Sequence, residues 1–196
     1  MVGQTRKESD ILLKLFKDFS KNYNSNSISK EVNISPRGAL KILKKLEKDK
    51  ILVGRKLGQA TFYKLNLNDL YARRVMEVLL TKEARDKAQR WISEFKEVFS
   101  YADIVIIFGS MIKNPAHASD IDLLLVFKRR KYKEVSDFIN DKNKILLKKI
   151  HDIPQTMQDL TENLKKNPAI IDAIRTGYVL HGFNELVEVI KNVTVI

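Results

Sequence analysis

The 196-residue chain has 36 Lys and Arg residues against 24 Asp and Glu, a formal net charge of +12, and 44% hydrophobic residues. That apolar fraction supports a folded core, and the absence of cysteine excludes disulfides, cysteine zinc sites and thiol catalysis. No apolar run is long enough to span a bilayer and the polar N-terminus is not a secretory signal, so we expect a cytoplasmic protein with no membrane partner.

The positive charge is concentrated in the first third of the chain. Residues 1–70 contain 15 Lys and Arg against 7 Asp and Glu, whereas residues 101–196 contain 14 against 12. A domain with such an excess attracts polyanions, of which DNA and RNA are the usual ones. General solubility of a lysine-rich protein is the alternative explanation.

Three helices are predicted at the start of the chain. Apolar spacing predicts one helix over 8–23 and a short one around 28–32. Ser35 and Pro36 begin the third, because serine accepts from a free helical N–H and proline in the first turn has no N–H to lose. Helical spacing assigns the inner face of this third helix to Leu40, Leu43 and Leu46.

A predicted β-hairpin follows the third helix. Its strands lie at 51–53 and 60–65, and Arg55 and Lys56 stand in a basic turn between them. Residues 1–67 therefore form one small domain that carries most of the positive charge.

The order of these elements resembles the winged helix-turn-helix domains of prokaryotic regulators, on the stretch SISKEVNISPRGALKILKKLEKDKILVGRKLGQATFYKLN. The resemblance implies that the third helix enters the DNA major groove. Residues near the bases would be Arg37 and Lys41, those near phosphates Lys44 and Lys45, and those at the wing tip Arg55 and Lys56. DNA is thus the expected partner, with a merely solvated basic surface or a protein-binding winged helix as alternatives.

Residues 68–100 are predicted to form a helical connector with a break near Thr81. Trp91 and Phe95 lie four residues apart in it. They either form the seam of a homodimer or, as we favour, pack against the sheet that follows.

Two carboxylates stand two residues apart at the start of an apolar strand in the third segment, 101–196. A first apolar strand ends in Gly109 and Ser110, and Asp120 and Asp122 then lead a second. Side chains at i and i+2 of a strand point to the same side, and neighbouring carboxylates repel unless a cation lies between them. Mg²⁺ commonly binds one or two carboxylates plus substrate phosphates.

The stretch FGSMIKNPAHASDIDLLLV resembles the signature of the DNA polymerase β-type nucleotidyltransferase superfamily, and the resemblance covers about residues 85–185. It implies a mixed sheet flanked by helices, with Gly109 and Ser110 holding a nucleoside triphosphate and Asp120 and Asp122 holding Mg²⁺. The implied reaction is attack by an acceptor hydroxyl on the α-phosphate, with release of pyrophosphate. ATP is the expected nucleotide.

Two positions depart from the family pattern. The resemblance implies a third carboxylate on a later strand, predicted at 145–153, where Asp152 is the acid present; Asp152 either takes that role or is an exposed strand-end residue. Where relatives carry Ala-Arg-Gly after the Gly-Ser pair, this chain has Lys113, which offers phosphate a point charge but no bidentate contact.

The sequence thus predicts an α+β protein of two domains, a winged helix followed by an α/β nucleotidyltransferase domain. The first hypothesis is Mg²⁺-dependent nucleotidyl transfer to an unknown acceptor, with a protein such as a toxin partner as one candidate, coupled to DNA binding. The alternative is a DNA-binding transcriptional regulator whose transferase domain has lost turnover. A homodimer is compatible with both.

Overall fold

The computed structural model describes residues 4–194, which fold into an α+β structure with two sheets. The predicted fold class is confirmed. The chain divides into two compact units, the first extending to Leu79 and the second comprising Leu80–Val193. The division lies inside the segment 68–100 that the sequence analysis treats as a connector.

The first unit has the element order of a winged helix. Its elements are α1 (Arg6–Lys17), α2 (Ser25–Glu31), α3 (Pro36–Lys48), β1 (Leu52–Leu57) and β2 (Ala60–Leu65). Tyr23 adds an isolated antiparallel bridge to Tyr63 of β2. The α1 helix ends six residues earlier than predicted, and the buried Asp18 that follows it accepts a 2.6 Å hydrogen bond from the Tyr23 hydroxyl.

The α3 helix begins as predicted, with the Ser35 hydroxyl accepting from the Gly38 N–H at 3.1 Å and Pro36 in the first turn. Its buried face consists of Ala39, Leu43 and Leu46. The prediction that Leu40 lies on this face is wrong, since its side chain is 37% exposed. The six residues from Leu40 to Leu46 turn the helix through about 600°, which is about 120° short of two full turns. Leu40 and Leu46 therefore point to different sides of α3.

The β-hairpin formed by β1 and β2, called the wing below, is longer than predicted. β1 and β2 pair antiparallel from Leu52 opposite Leu65 to Leu57 opposite Ala60. The turn is therefore confined to two residues, and Gly58 adopts a φ of +60° there, a conformation that glycine accepts at no steric cost. Arg55 and Lys56 lie within strand β1 and not in the turn.

A long helix, α4 (Leu70–Phe95), carries the division between the units. Its non-helical residue is Ala88, with φ −132° and ψ 18°, so the predicted break near Thr81 is wrong. A short 3₁₀ segment, Lys96–Ser100, follows. The rest of the second unit comprises β3 (Ile104–Phe108), α5 (Ser110–Lys113), β4 (Asp120–Val126), α6 (Tyr132–Ile145), β5 (Lys149–Gln155), α7 (Met157–Lys166), α8 (Pro168–Thr176), β6 (Tyr178–His181) and α9 (Phe183–Thr194).

The sheet of the second unit has the strand order β5-β4-β3-β6. Strands β4 and β5 are parallel, whereas β3 is antiparallel to both of its neighbours, which confirms the predicted mixed sheet. The strand predicted at 145–153 is β5 in the structure. It begins at Lys149, four residues later than predicted, because α6 continues to Ile145.

Helices cover the sheet as predicted for this domain. Alternate residues of β4, including Leu123 and Leu125, share a buried cluster with Phe95 and Phe138, and Trp91 packs against that cluster. The Trp91 and Phe95 rings stack at 5.9 Å. These two aromatics thus pack against the sheet of their own unit, as favoured. Within residues 4–194, no helix is long and apolar enough to cross a membrane.

Candidate functional site

The two aspartates of the Asp-x-Asp motif are the first and third residues of β4. Between and after them, Ile121 and Leu123 are almost fully buried in the core cluster, whereas Asp120 and Asp122 are only half-buried. The alternation places both carboxylates on the face of the sheet opposite Ile121. The sequence prediction that they point to the same side agrees with this arrangement.

The Gly-Ser turn lies directly against one of these carboxylates. Phe108, the last residue of β3, pairs with Asp122 of β4, and Gly109 follows with a φ of +78°. A Cβ atom at Gly109 would overlap the Asp122 carboxylate oxygen Oδ2. Glycine is therefore required at this position both by its backbone conformation and by the closeness of Asp122. Ser110 is exposed and begins α5.

The neighbouring strand places a histidine, not an acid, beside the pair. In the parallel β4–β5 register, Asp122 stands opposite His151, and His151 Nδ1 lies 3.2 Å from Asp122 Oδ1. Asp152 stands opposite Leu123. Residues paired across a sheet share a face, so Asp152 lies on the other face from the two aspartates.

The structure therefore does not bring Asp152, the sequence candidate for a third carboxylate, together with Asp120 and Asp122. His151 occupies the corresponding position. Which side chain of β5 faces Asp122 depends on the register between β4 and β5. The sequence of β5 does not specify that register, and a shift of one residue would exchange the faces of His151 and Asp152. The sequence reasoning missed this residue.

The loop between the Gly-Ser turn and the Asp-x-Asp strand is held by a lysine that sequence reasoning also missed. Lys148 Nζ donates to the backbone oxygens of Pro115 and Ala118, each at 2.7 Å. Lys113, the predicted phosphate contact, is an exposed residue of α5 whose ammonium lies 4.0 Å from an Asp172 carboxylate oxygen. His117 in the same loop is exposed.

Asp120 and Asp122 are the oxygen donors that the site offers to a divalent cation. Within residues 4–194, no three or more His, Asp or Glu side chains are grouped so that they could hold a metal ion. Asp120 and Asp122 offer hard oxygen ligands, and the Ser119 hydroxyl donates to Asp120 Oδ1 at 2.9 Å. Two carboxylates suit Mg²⁺, which takes its remaining ligands from substrate phosphates and water.

In the first unit, the exposed side of α3 carries a basic groove. It has a volume of about 520 Å³ and is lined by Ser35, Arg37, Gly38, Leu40, Lys41 and Lys44. Three of the predicted nucleic-acid contacts, Arg37, Lys41 and Lys44, thus share one surface. Leu40 contributes an apolar contact to the same surface.

Lys45 is engaged elsewhere. Its ammonium contacts Glu8 Oε1 at 2.5 Å, and Glu8, only 3% exposed, also closes the capping box of α1 with Thr5. Burial raises the pKa of the Glu8 carboxyl, but the hydrogen bonds from Lys45 and Thr5 outweigh it and hold that pKa below 4.5. The ammonium of Lys45 is therefore occupied by an internal ion pair.

The two predicted wing residues are accessible. Arg55 and Lys56 are both exposed on β1. The strand is joined to α3 by a 3.1 Å hydrogen bond from the Gly54 N–H to Glu47 Oε1. This bond fixes the start of the wing relative to the helix that carries the basic groove.

Residues 91–185 match the family model Polymerase beta, Nucleotidyltransferase. The matched range contains Gly109, both aspartates of β4 and His151. The match supports nucleotidyl transfer as the chemistry of this family of domains, and it covers most of the range over which the sequence resemblance was drawn. No curated protein matches the chain.

Three solved structures resemble the chain at low identity. The Adhesin competence repressor (AdcR) from Streptococcus pyogenes is 16% identical, with a TM-score of 0.36, over 70% of this chain and 78% of that one. Two mutant forms of Lactococcus lactis ZitR are each 17% identical. One has a TM-score of 0.34 over 73% of this chain and 75% of that one, and the other a TM-score of 0.35 over 74% and 76%.

Proposed function

We propose that the second unit binds a nucleoside triphosphate with Mg²⁺ and transfers its nucleotidyl group to an acceptor hydroxyl, while the first unit binds DNA. The observation that carries the proposal is the contact of Asp122 with Gly109. Because of this contact, the turn that would hold phosphate and the carboxylates that would hold the cation belong to a single site.

The reaction follows from the placement of these groups. Backbone N–H groups at Gly109 and Ser110 would bind the phosphates, since a glycine turn allows a phosphate to approach the main chain closely. Asp120 and Asp122 would hold the Mg²⁺, which neutralises the charge that develops on the phosphate oxygens. The acceptor hydroxyl would lose its proton to solvent as its oxygen forms a bond to the α-phosphorus. The bond from the α-phosphorus to the bridging oxygen breaks, and that oxygen leaves with its electron pair as part of pyrophosphate.

ATP is the nucleotide we propose first, and a protein hydroxyl, including one on a toxin partner, is the acceptor we propose first. Both follow from the resemblance to small nucleotidyltransferases. A cytoplasmic location fits these partners and the absence of cysteine.

DNA binding is proposed for the exposed surface of α3 and the wing. Arg37, Lys41 and Lys44 line one groove, and Arg55 and Lys56 are exposed on β1. Cations on one face of a helix next to a basic hairpin match the charge and the grooves of duplex DNA. Lys45 is left out of this surface because of its pairing with Glu8.

A second candidate function rests on His151. The residue opposite Asp122 on β5 is a histidine, and Asp152 lies on the other face. A domain that binds nucleotide without turnover would give a DNA-binding transcriptional regulator, with the nucleotide as its effector.

The test of the first function is calorimetry of ATP with Mg²⁺ on the full chain, with release of pyrophosphate followed in parallel. We expect Mg²⁺-dependent binding that is lost when Asp120→Ala and Asp122→Ala are combined. The matched control is Asp152→Ala, which removes an acid from the other face of the same sheet and should leave binding unchanged.

The outcomes separate the two candidates. Binding together with pyrophosphate release in the presence of a cell extract supports transfer. Binding without release in any extract supports the nucleotide-responsive regulator. If the wild-type chain binds no nucleoside triphosphate, the proposed site is wrong, and the α3 surface becomes the working part of the protein.

A further inference from the structure

The loop 114–119 joins the two halves of the proposed nucleotide site. It begins after α5, the short helix that follows Gly109, and it enters β4 at Asp120. Its first part is a turn, in which the His117 N–H donates to the Asn114 oxygen at 3.1 Å. Most of its side chains are exposed, and Ala118 is the residue that enters the core cluster.

One side chain from outside the loop, that of Lys148, forms hydrogen bonds near both of its ends. The Lys148 ammonium donates to the backbone oxygen of Pro115, near the start of the loop, and to that of Ala118, near its end. Both distances are 2.7 Å, at the short end of the range for charge-assisted hydrogen bonds. Carbonyl groups in exposed loops are ordinarily satisfied by water, so a dedicated lysine indicates that the loop conformation is held.

The position of Lys148 in the chain connects this loop to the site. Lys148 immediately precedes β5, and Lys149 pairs with Asp120 at the start of the parallel register. The strand that places His151 beside Asp122 therefore begins at the residue next to the lysine that holds the loop. The loop, the start of β4 and the start of β5 are fixed to one another at one point.

We propose that Lys148 is a positioning residue of the nucleotide site, which holds loop 114–119 so that the Gly-Ser turn and Asp120 address the same nucleotide. This inference rests on the proposed nucleotide binding. Lys148 contacts the main chain of the loop, so its effect reaches the nucleotide through the loop. Lys113, in contrast, is directed to Asp172 and does not hold the loop.

The test compares Lys148→Met, Lys148→Arg and the control Lys144→Met in the full chain. Lys144 is an exposed lysine of α6 that pairs with Asp141, so its replacement removes the same charge away from the loop. Two quantities are measured, the dissociation constant for ATP with Mg²⁺ and the hydrogen-exchange rates of the amides of residues 114–119 without nucleotide.

We expect Lys148→Met to speed exchange in the loop and to weaken ATP binding about tenfold, because small displacements of positioning groups have large effects. Lys148→Arg, which keeps the charge and the donors, should restore part of the affinity. Lys144→Met should change neither quantity. Circular dichroism and the exchange of β3 and β4 amides show whether the unit remains folded.

The results distinguish this inference from the function on which it rests. Unchanged ATP affinity in a folded Lys148→Met variant would overturn the positioning role, and faster loop exchange with unchanged affinity would show that the lysine only stabilises the loop. Equal losses in Lys148→Met and Lys144→Met would assign the effect to charge alone and also overturn it. No ATP binding by the wild type would overturn both proposals.

Discussion

The basic surface of α3 is built by one helix, whereas the acidic site of the second unit is assembled from three segments that are distant in the chain. On α3, Arg37, Lys41 and Lys44 share a surface because three- and four-residue steps return to the same side of a helix. In the second unit, Gly109, Asp122 and His151 meet only because β3, β4 and β5 pair in one register.

This difference has a consequence for how the two surfaces respond to change. Cations on a solvent-exposed helix act nearly independently, so each would contribute a small and separate part of the proposed DNA binding. The groups around Asp122 are in contact with one another, so a change in one displaces the others. We therefore expect large, coupled effects in the second unit and small, additive effects on α3.

The largest difference is expected between two glycines that both have a positive φ. Gly109→Ala should lower the free energy of unfolding of the second unit by about 2–4 kcal/mol, since strain of the backbone adds to the overlap with Asp122. Gly58→Ala should cost the first unit only about 1 kcal/mol, because nothing lies within 4 Å of its added Cβ.

Calorimetry of the full chain measures both variants, and hydrogen exchange assigns each loss to β3 and β4 or to the wing. ATP binding should fall with Gly109→Ala and remain with Gly58→Ala. Equal losses of stability in the two variants would show that backbone conformation alone, and not the contact with Asp122, requires glycine at 109.

A smaller and opposite effect is expected at His151. The change His151→Asp places a third carboxylate on the face of Asp120 and Asp122, and one more oxygen ligand should strengthen Mg²⁺ binding in the presence of ATP by about tenfold. Titration calorimetry at several Mg²⁺ concentrations measures the change. A gain of pyrophosphate release in this variant would show that the natural histidine limits turnover.

The control for this gain is Asp152→Asn. It alters an acid on the other face of the same strand and should leave Mg²⁺ affinity unchanged. If His151→Asp has no effect and Asp152→Asn weakens Mg²⁺ binding, the assignment of His151, and not Asp152, to the face of Asp120 and Asp122 is wrong.

On α3, two adjacent lysines should have different effects. Lys44→Ala should weaken DNA binding a few-fold and reduce the slope of log affinity against log salt by about one, as expected for loss of one phosphate contact. Lys45→Ala should leave that slope nearly unchanged and lower the melting temperature of the first unit, because Glu8 is left buried without its partner. If both variants reduce the slope of log affinity against log salt equally, Lys45 belongs to the proposed DNA-binding surface after all.

The smallest expected effect is the pH dependence of the Glu8–Lys45 pair. The pKa of Glu8 lies below its ordinary value of 4.5 in the folded unit. Its contribution to stability is therefore complete above pH 4.5 and is lost as the pH falls through the folded pKa. Melting curves over this acidic range should show a weaker dependence in Lys45→Ala than in the wild type.

Local rules in the sequence were sufficient for most of the first unit. Ser35 and Pro36 determine the start of α3, because capping and the missing N–H of proline act within one turn of helix. In the second unit, the alternation of side chains along β4 was likewise sufficient to predict that Asp120 and Asp122 share a face. The exposed side of Leu40 was missed, since three-residue spacing is only an approximation to the helical repeat.

By itself, then, the sequence determined the order of the elements in the first unit, the mixed α+β class and the two carboxylates of the site. Only the tertiary structure decided which residue of β5 faces Asp122, that Lys148 holds the loop 114–119, and that Lys45 is occupied by Glu8. Each of these depends on residues that are at least 29 positions apart, beyond the reach of any periodic pattern. Strand register and side-chain pairing are set by packing of the whole unit, and so they become visible only when the chain is folded.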